Sequence, residues 1–271
     1  MWLKGKNVLI TGASRGIGRG IALKLAESGA GRICVNYLAN DVGANQTLAG
    51  IRERNADGFT CKADVNNPAE IQRMFEQIRQ NFGTLDVLVS NARVDLGTGF
   101  YQSPLDIPLE KFELALDSQV RAFHLLVREM AAILPAEGGR IIAISYSPSG
   151  RTGSWQPWCA MGTAKAAVDA LSRYYAVALG PRGVTVNVVS PGATDDSVLS
   201  RLPPEAFEMI RQWHESGWTP MRRMGTPADV GNAVAMLCTE QAAFITGQTV
   251  HVDGGASVMD PVFPLPIQGI S

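Results

Sequence analysis

The stretch Thr11-Gly12-Ala13-Ser14-Arg15-Gly16-Ile17-Gly18 decides the fold of this chain. An apolar run at residues 7–11 leads into it, and Ile17, Ile21 and Leu25 then recur at the spacing that places them on one face of a helix. The glycines permit a tight turn and a close backbone approach, so the N–H groups at the helix start can bind a pyrophosphate. Strand, turn and helix together predict a dinucleotide-binding βα unit.

The rest of the chain repeats this alternation of strands and helices. Runs of β-branched or apolar residues predict seven strands, at residues 7–11, 32–37, 58–64, 85–91, 140–145, 185–190 and 248–253. Segments with helical periodicity lie between these runs, which indicates repeated βα units around a parallel sheet. We therefore expect an α/β fold with a doubly wound, seven-stranded parallel sheet, a Rossmann fold of three layers with helices on both faces.

Two of the predicted helices have clear starting points. Asn67 can cap a helix whose first residue is Pro68, and Gly83 can end that helix. A second helix is expected to begin at Thr226-Pro227 for the same reason. Both helices are expected to cover the sheet.

Length and composition favour one soluble domain. The chain has 271 residues, of which 46% are hydrophobic, and no uninterrupted apolar run reaches the ~18 residues of a membrane span. We expect a single domain at residues 1–255, with an irregular substrate lid at residues 194–220. Residues 256–271 are expected to be a C-terminal tail that packs on a neighbour or is disordered. Trp213 and Trp218 either close over a substrate or anchor the lid to the core.

Charge and cysteine content narrow the class of protein further. The net charge of −1 gives no electrostatic reason to expect nucleic acid or an anionic membrane as a partner. The N-terminus lacks the features of a secretory signal, so we expect a cytoplasmic protein. The four cysteines are far apart in sequence and the chain has only three histidines, so we expect reduced cysteines and no metal site.

The residues at the end of the second predicted strand bear on the choice of dinucleotide. NAD-binding chains usually place a carboxylate there, which accepts hydrogen bonds from the ribose hydroxyls, whereas this chain has Asn36-Tyr37. No carboxylate at that position repels a 2′-phosphate, and Arg15 in the glycine turn can pair with one. The cofactor predicted is therefore NADP(H).

Over residues 5–255 the sequence resembles the short-chain dehydrogenase/reductase family. The resemblance rests on the glycine turn, Asp64-Val65, Ser90-Asn91-Ala92, Pro191-Gly192 and the closing run at residues 247–255. It implies that Asp64-Val65 contacts adenine, that Asn91-Ala92 lines the adenosine ribose and that Pro191-Gly192 borders the nicotinamide. The cofactor-binding residues expected from the turn and the resemblance are Gly12, Ser14, Arg15, Gly16, Ile17, Gly18, Asn36, Tyr37, Asp64, Val65, Asn91, Ala92, Lys165, Pro191, Gly192 and Thr194.

The chain departs from the family at its active site, which usually holds a Ser, a Tyr, a Lys four residues after that Tyr, and an Asn on the preceding helix. Lys165 is present, but Met161 stands four residues before it and Gln119 stands where the Asn is expected. The run from Met161 to Lys165 and the pair Ser145-Tyr146 are more similar to the enoyl-acyl-carrier-protein reductase branch. That branch has its Tyr seven residues before the Lys, where this chain has Trp158.

The remaining candidates for acid–base chemistry are few. Tyr146 is the best remaining acid, and we expect a nearby ammonium group to lower its pKa from about 10; the alternative is a core tyrosine at a strand end. Trp158 offers an indole N–H that can stabilise an oxyanion, or else forms an apolar wall. The candidate catalytic residues are Lys165, Tyr146, Ser145, Trp158, Met161 and Gln119.

These departures favour some reactions over others. Reduction of a ketone makes a basic alkoxide that needs a proton almost at once, whereas conjugate reduction of an enoyl thioester makes a delocalised enolate. Loss of the usual Tyr therefore favours NADPH-dependent reduction of an activated C=C bond, on an acyl thioester or a similar small molecule. The alternatives are a carbonyl reductase with a rearranged site and an NADP(H)-binding protein without redox turnover. The family resemblance also implies a homodimer or homotetramer.

Overall fold

The structure is a computed structural model that describes residues 3–94, 103–146, 158–196, 199, 202–259, 265–266 and 268–269. Its strands are β1 (Asn7–Ile10), β2 (Arg32–Tyr37), β3 (Asp57–Lys62), β4 (Val87–Ser90), β5 (Arg140–Ile144), β6 (Thr185–Pro191) and β7 (Thr249–Val252). They form one parallel sheet in the order β3-β2-β1-β4-β5-β6-β7. The strand order reverses direction at β1, which opens a crevice at the carboxyl ends of β1 and β4.

Helices cover both faces of this sheet. They are α1 (Gly16–Glu27), α2 (Asp41–Arg52), α3 (Pro68–Phe82), α4 (Leu109–Leu116), α5 (Ala122–Ala131), α6 (Cys159–Leu179), α7 (Pro204–Trp213) and α8 (Pro227–Leu237). A π-helical turn at Asp117–Arg121 joins α4 to α5, and another at His214–Trp218 follows α7. The prediction of a three-layer, doubly wound parallel sheet is confirmed.

Side chains that alternate along each strand bind the helices to the two faces. In β1, Val8 and Ile10 belong to the buried cluster that includes residues of α1, α2 and α8. Leu9 points to the opposite face, where the second cluster includes residues of α3, α5 and α6. Because successive strand residues face opposite ways, every central strand contributes to both layers of core.

The helix starts expected from the sequence are present. The Asn67 side-chain oxygen accepts a hydrogen bond from the Ala69 N–H at 3.0 Å, Pro68 is the first residue of α3, and Gly83 follows its end with a φ of +79°. Thr226 caps α8 through a reciprocal pair of hydrogen bonds with Asp229. Short-range signals of this kind are reliable because capping depends only on residues within one turn.

The lid segment, residues 194–220, differs from the prediction. It is not irregular throughout, because it contains α7 and the π-helical turn after that helix. Trp213 and Trp218 stack on each other with ring centroids 4.7 Å apart. Leu265, in the tail, is buried, and its N–H donates a hydrogen bond to the Gly217 carbonyl of the same chain. Leu265 therefore packs beside the turn after α7.

Two further findings concern the described residues alone. No helix among them is long and apolar enough to cross a lipid bilayer. All four cysteines are free thiols, and Cys34, Cys61 and Cys238 are buried.

Candidate active site

A cavity of about 1320 Å³ lies at the carboxyl ends of β1 to β6. All the residues that the sequence predicts for the cofactor line this cavity, and so do Ser145, Tyr146, Trp158, Met161 and Lys165. The parallel strands explain the convergence, since their carboxyl ends meet at one edge of the sheet. The fold thus gathers residues from the whole chain around one space.

The glycine turn forms the floor of the cavity at β1. Gly12 has a φ of +66°, and a Cβ atom there would lie 2.8 Å from the Cα atom of Ala92. A Cβ atom at Gly18 would lie 2.4 Å from the Gly12 carbonyl oxygen. Side chains at these positions would strain the backbone or clash with it, so the tight turn depends on glycine.

Thr11 and Asn91 hold the glycine turn against the end of β4. The Thr11 Oγ1 atom accepts hydrogen bonds from the N–H groups of Asn91 and Ala92, at 2.9 and 3.0 Å. The Asn91 side-chain amide donates to the Thr11 carbonyl at 2.8 Å. Sequence analysis did not single out Thr11, because its partner lies eighty residues away along the chain.

Asn36 joins the turn to the neighbouring strand. Its buried side-chain oxygen accepts a hydrogen bond from the Gly12 N–H at 3.2 Å, and its amide donates to the carbonyls of Cys61 and Ala63 at 3.3 and 3.0 Å. The oxygen and the nitrogen of the Asn36 side-chain amide therefore both have hydrogen-bond partners within the protein. Its visible role is to fix the turn, rather than to offer the ribose a free amide.

The end of β2 does have a carboxylate nearby, which sequence analysis missed. The Tyr37 hydroxyl donates a hydrogen bond to Asp41, four residues further on, at 2.8 Å. This bond raises the pKa of Tyr37 and lowers the pKa of Asp41. Lys62 also lies 3.6 Å from the Asp41 carboxylate. Asp41 does not line the cavity in the described part of the chain, whereas Arg15 does.

The first turn of α1 is built to receive an anion. Its N-cap residue, Arg15, makes no side-chain capping bond, and the first N–H groups of an α-helix have no partner within the helix. These N–H groups and the Arg15 side chain are therefore suited to the diphosphate and the 2′-phosphate of NADP(H). The residues present fit that cofactor.

Lys165 lies at the other end of the cavity. Its ammonium donates a hydrogen bond to the Ile144 carbonyl at 2.5 Å, and the side chain is buried. Burial lowers the pKa of Lys165 to about 7, with a further lowering from the charge of Arg93 and an opposing effect from Asp169. Lys165, on α6, is therefore an amine whose pKa lies close to neutral pH.

The prediction that an ammonium group lowers the pKa of Tyr146 is wrong. Burial raises the pKa of Tyr146 instead. The physical reason is that removing a phenol from water disfavours the phenolate, and the Lys165 ammonium is directed at the carbonyl of Ile144. Tyr146 is thus a poorer proton donor than the sequence suggested.

Trp158 packs between two polar side chains at the cavity wall. Its ring centroid lies 5.8 Å from that of Tyr146, and the Arg93 guanidinium carbon lies 5.7 Å from the Trp158 ring. This distance is within the range of cation–π attraction. Sequence analysis noted no role for Arg93, although it follows Asn91-Ala92 directly at the carboxyl end of β4.

The end of the cavity lined by Lys165, Tyr146 and Trp158 is called the reacting end. Buried polar atoms lie behind it. Within the described residues, the buried Ser145 Oγ and Asp169 Oδ1 atoms make no hydrogen bond to a backbone group, and the Ser145 hydroxyl is close enough to the Asp169 carboxyl to lower its pKa against the effect of burial. Burial raises the pKa of Asp169, which stands one helical turn after Lys165. Such groups are uncommon in folded proteins and are often found at functional sites.

Gln119 occupies a different place from the other predicted catalytic residues. It is buried in the π-helical turn between α4 and α5 and does not line the cavity as described. Its side-chain amide donates to the Ala92 carbonyl at 3.2 Å and to Ser118. Gln119 is therefore placed to support the loop after β4, because its amide faces that loop and not the cavity.

The lid segment supplies an apolar wall opposite the cofactor-binding turn. The residues that line the cavity from this side are Leu199, Leu202, Pro203, Ala206, Met209 and Ile210. Neither Trp213 nor Trp218 lines the cavity in the described part of the chain. The sequence did contain the signal for α7, since residues 206, 209, 210 and 213 are apolar at helical spacing after Pro204.

Comparison with known families assigns the chain to a family. A family model described as Enoyl-(Acyl carrier protein) reductase matches residues 12–257. The chain belongs to the short-chain dehydrogenase/reductase family. It is accordingly an oxidoreductase, and the resemblance noted in its sequence is confirmed.

Relatives in this family reduce different bonds. The chain is 35% identical to 1-cyclohexenylcarbonyl-CoA reductase of Streptomyces collinus, covering 94% of this chain and 88% of the relative. It is also 35% identical to the 3-oxoacyl-(acyl-carrier-protein) reductase FabG of Staphylococcus aureus, covering 92% and 97%. The angucycline C-6 ketoreductase LanV, solved with bound NADP, superposes with a TM-score of 0.84 at 31% identity, covering 95% and 97%. The expectation of NADP(H) agrees with that structure.

Proposed function

We propose that this short-chain dehydrogenase/reductase uses NADPH to reduce the C=C bond of an enoyl thioester or a similar activated alkene. The observation that carries the proposal is the composition of the cavity wall beside Lys165. Met161 and Trp158 stand where a tyrosine is expected, and burial raises the pKa of Tyr146. A site with a weak proton donor suits a reaction whose first product is a delocalised enolate.

The cofactor-binding part of the proposal assigns a role to each group at the glycine turn. The N–H groups at the start of α1 hold the diphosphate, and Arg15 pairs with the 2′-phosphate. Asp64 and Val65 would contact the adenine, and Pro191, Gly192 and Thr194 would lie beside the nicotinamide; all five residues line the cavity. When bound, NADPH supplies a hydride to the β-carbon of the substrate.

The protein's own residues then manage charge and orientation. The Lys165 ammonium holds the nicotinamide ribose and lends positive charge to the reacting end of the cavity. Tyr146 donates a hydrogen bond to the thioester oxygen without having to transfer its proton at once. The apolar side chains of the lid segment, including Leu202 and Met209, bind the acyl group.

Reduction of a ketone is the second candidate, and one observation favours it. Ser145 and Tyr146 both line the cavity, and the Ser145 hydroxyl makes no hydrogen bond to a backbone group among the described residues. A serine and a tyrosine in one site can together polarise and protonate a carbonyl. FabG and LanV are named for that reaction.

The two candidates are separated by supplying matched substrates to purified protein. With NADPH present, we expect cyclohexenylcarbonyl-CoA and crotonyl-CoA to be reduced to their saturated thioesters, measured by loss of the nicotinamide absorbance band and by mass spectrometry of the product. Acetoacetyl-CoA is the matched ketone. Consumption of the ketone alone would exclude enoyl reduction. Lys165→Ala is the control variant, since its loss of turnover shows that the reaction occurs at this cavity.

We also propose assembly as a homodimer or homotetramer in the cytoplasm. Tyr174 and Val177 on α6 are 76% and 80% exposed in the single chain. Large exposed apolar side chains on one helix are typical of subunit contacts. Light scattering of the purified protein measures the assembly, and a monomer at every concentration would contradict it.

A further inference from the structure

We propose that Arg93 is a catalytic residue that stabilises the negative charge on the substrate's thioester oxygen, in place of the tyrosine that the chain lacks. This assignment rests on the enoyl reduction proposed above. It concerns a residue that neither the family's motifs nor the relatives' names assign.

The position of Arg93 is the first observation. It lies at the carboxyl end of β4, three residues after Ser90, and lines the cavity that Lys165 and Tyr146 also line. Its guanidinium lies over the Trp158 ring at 5.7 Å. The indole thus offers a flat support for the planar cation at the position where the enoyl-reductase branch has its tyrosine.

The second observation is the effect of the Arg93 charge on the pKa of Lys165. Its charge contributes to lowering the pKa of Lys165, so the two cations affect the same part of the cavity. Bringing two positive groups together is unfavourable in the free protein. The positive field of Arg93 that disfavours the Lys165 ammonium would favour a negative charge on the substrate in the same part of the cavity.

Arg93 is better suited to this task than the other groups at the reacting end. The Lys165 ammonium, which donates to the Ile144 carbonyl at 2.5 Å, has the nicotinamide ribose as its proposed ligand. Burial raises the pKa of Tyr146, so the phenol can donate a hydrogen bond but transfers its proton reluctantly. A guanidinium stays protonated throughout the pH range of an assay and presents several N–H donors in one plane.

The reaction step balances with Arg93 in this role. A hydride from NADPH, carrying two electrons, would form a C–H bond at the β-carbon while the C=C π pair forms a new bond between the α-carbon and the carbonyl carbon and the C=O π pair moves onto the thioester oxygen. Arg93 pairs with that oxygen and keeps its own protons. The enolate then takes one proton from water at the α-carbon, and the products are the saturated thioester and NADP+.

The test compares Arg93→Gly and Arg93→Lys with the wild type, using cyclohexenylcarbonyl-CoA and NADPH. Loss of a charge-stabilising donor typically lowers kcat by about 10²-fold. We expect Arg93→Gly to show that loss with little change in KM or in NADPH affinity measured by fluorescence. Added guanidinium ion should restore part of its turnover, whereas neutral urea should not.

Arg93→Lys supplies a readout that a packing role would not change. Wild-type kcat should have no alkaline limit set by residue 93, whereas the lysine variant should be active at neutral pH and lose turnover at alkaline pH as the ammonium deprotonates. Arg52→Ala is the matched control, because Arg52 is an exposed cation at the end of α2 paired with Asp57. It should behave as the wild type.

The outcomes separate this assignment from the proposed function. If the wild type reduces the enoyl thioester and Arg93→Gly retains its kcat, only the role of Arg93 is wrong. The same conclusion follows if the variant changes KM alone or guanidinium gives no rescue. If the wild type leaves enoyl thioesters intact, the proposed function fails and the assignment fails with it.

Discussion

The two ends of the cavity are built differently. At the glycine turn, Thr11, Asn36 and Asn91 each make several hydrogen bonds to backbone groups of neighbouring strands. At the reacting end, the buried Ser145 Oγ and Asp169 Oδ1 atoms make no hydrogen bond to a backbone group among the described residues and interact with each other instead. The first arrangement fixes the shape of a binding site before any ligand arrives, whereas the second leaves polar groups that a reaction can use.

The glycine-turn end of the cavity is called the rigid end. Gly12→Ala is the strongest test of the difference between the two ends. The added Cβ atom would lie 2.8 Å from the Ala92 Cα atom, on a backbone whose φ is +66°. Strain at the turn should reduce NADPH affinity by about a hundredfold, or about 2.7 kcal/mol. Isothermal titration calorimetry measures this loss.

The matched control for that change is Gly180→Ala. A Cβ atom at Gly180 meets nothing within 4 Å, and the backbone there is already helical. NADPH affinity should be unaltered. If Gly12→Ala also bound NADPH as the wild type does, the turn would be less rigid than its hydrogen bonds indicate.

A second test concerns Lys165 at the reacting end and measures how the free energy of unfolding depends on pH. The folded protein releases the Lys165 proton near pH 7, whereas the unfolded chain holds it until about 10.5. Between those values the unfolded state binds more protons, so the free energy of unfolding rises with pH, by at most about 1.4 kcal/mol per pH unit. Below pH 7, Lys165 is protonated in both the folded and the unfolded state, so the free energy of unfolding stays lowered by the full cost of burying the ammonium.

Lys165→Met removes this titration while keeping an unbranched side chain. Urea denaturation of cofactor-free protein should show that the wild type gains stability relative to the variant as pH rises through that window. A difference between the two that does not vary with pH would mean that Lys165 keeps its ordinary pKa in the folded protein.

The rigid end could be predicted from the sequence to a large extent. The glycine turn, the strand that precedes it and the helix that follows are contiguous, and their signals are local. The caps at Asn67 and Thr226 are local as well, and the structure confirms them. What the sequence could not provide was the role of Asn36, because its partners belong to another strand and to the turn.

The reacting end was less predictable for physical reasons. The pKa of Tyr146 depends on burial, and the side chain of Arg93 meets Trp158 from a distant part of the chain. Neither property can be calculated from spacing along the sequence. The helix α7 was missed because residues 194–220 were expected to be irregular, although the apolar residues after Pro204 have helical spacing.

The smallest expected effect concerns the lid segment and is tested by Trp213→Ala. Trp213 is 54% exposed and stacks on Trp218, and it does not line the cavity as described, whereas Met209 on the same helix does. Removing the stacking should cost about 0.5–1.5 kcal/mol of stability and leave the KM for the acyl thioester nearly unchanged. Met209→Ala should raise that KM, because it removes part of the apolar wall. Thermal unfolding and steady-state kinetics of both variants distinguish the two roles, and a raised KM in Trp213→Ala would place the tryptophan pair over the substrate after all.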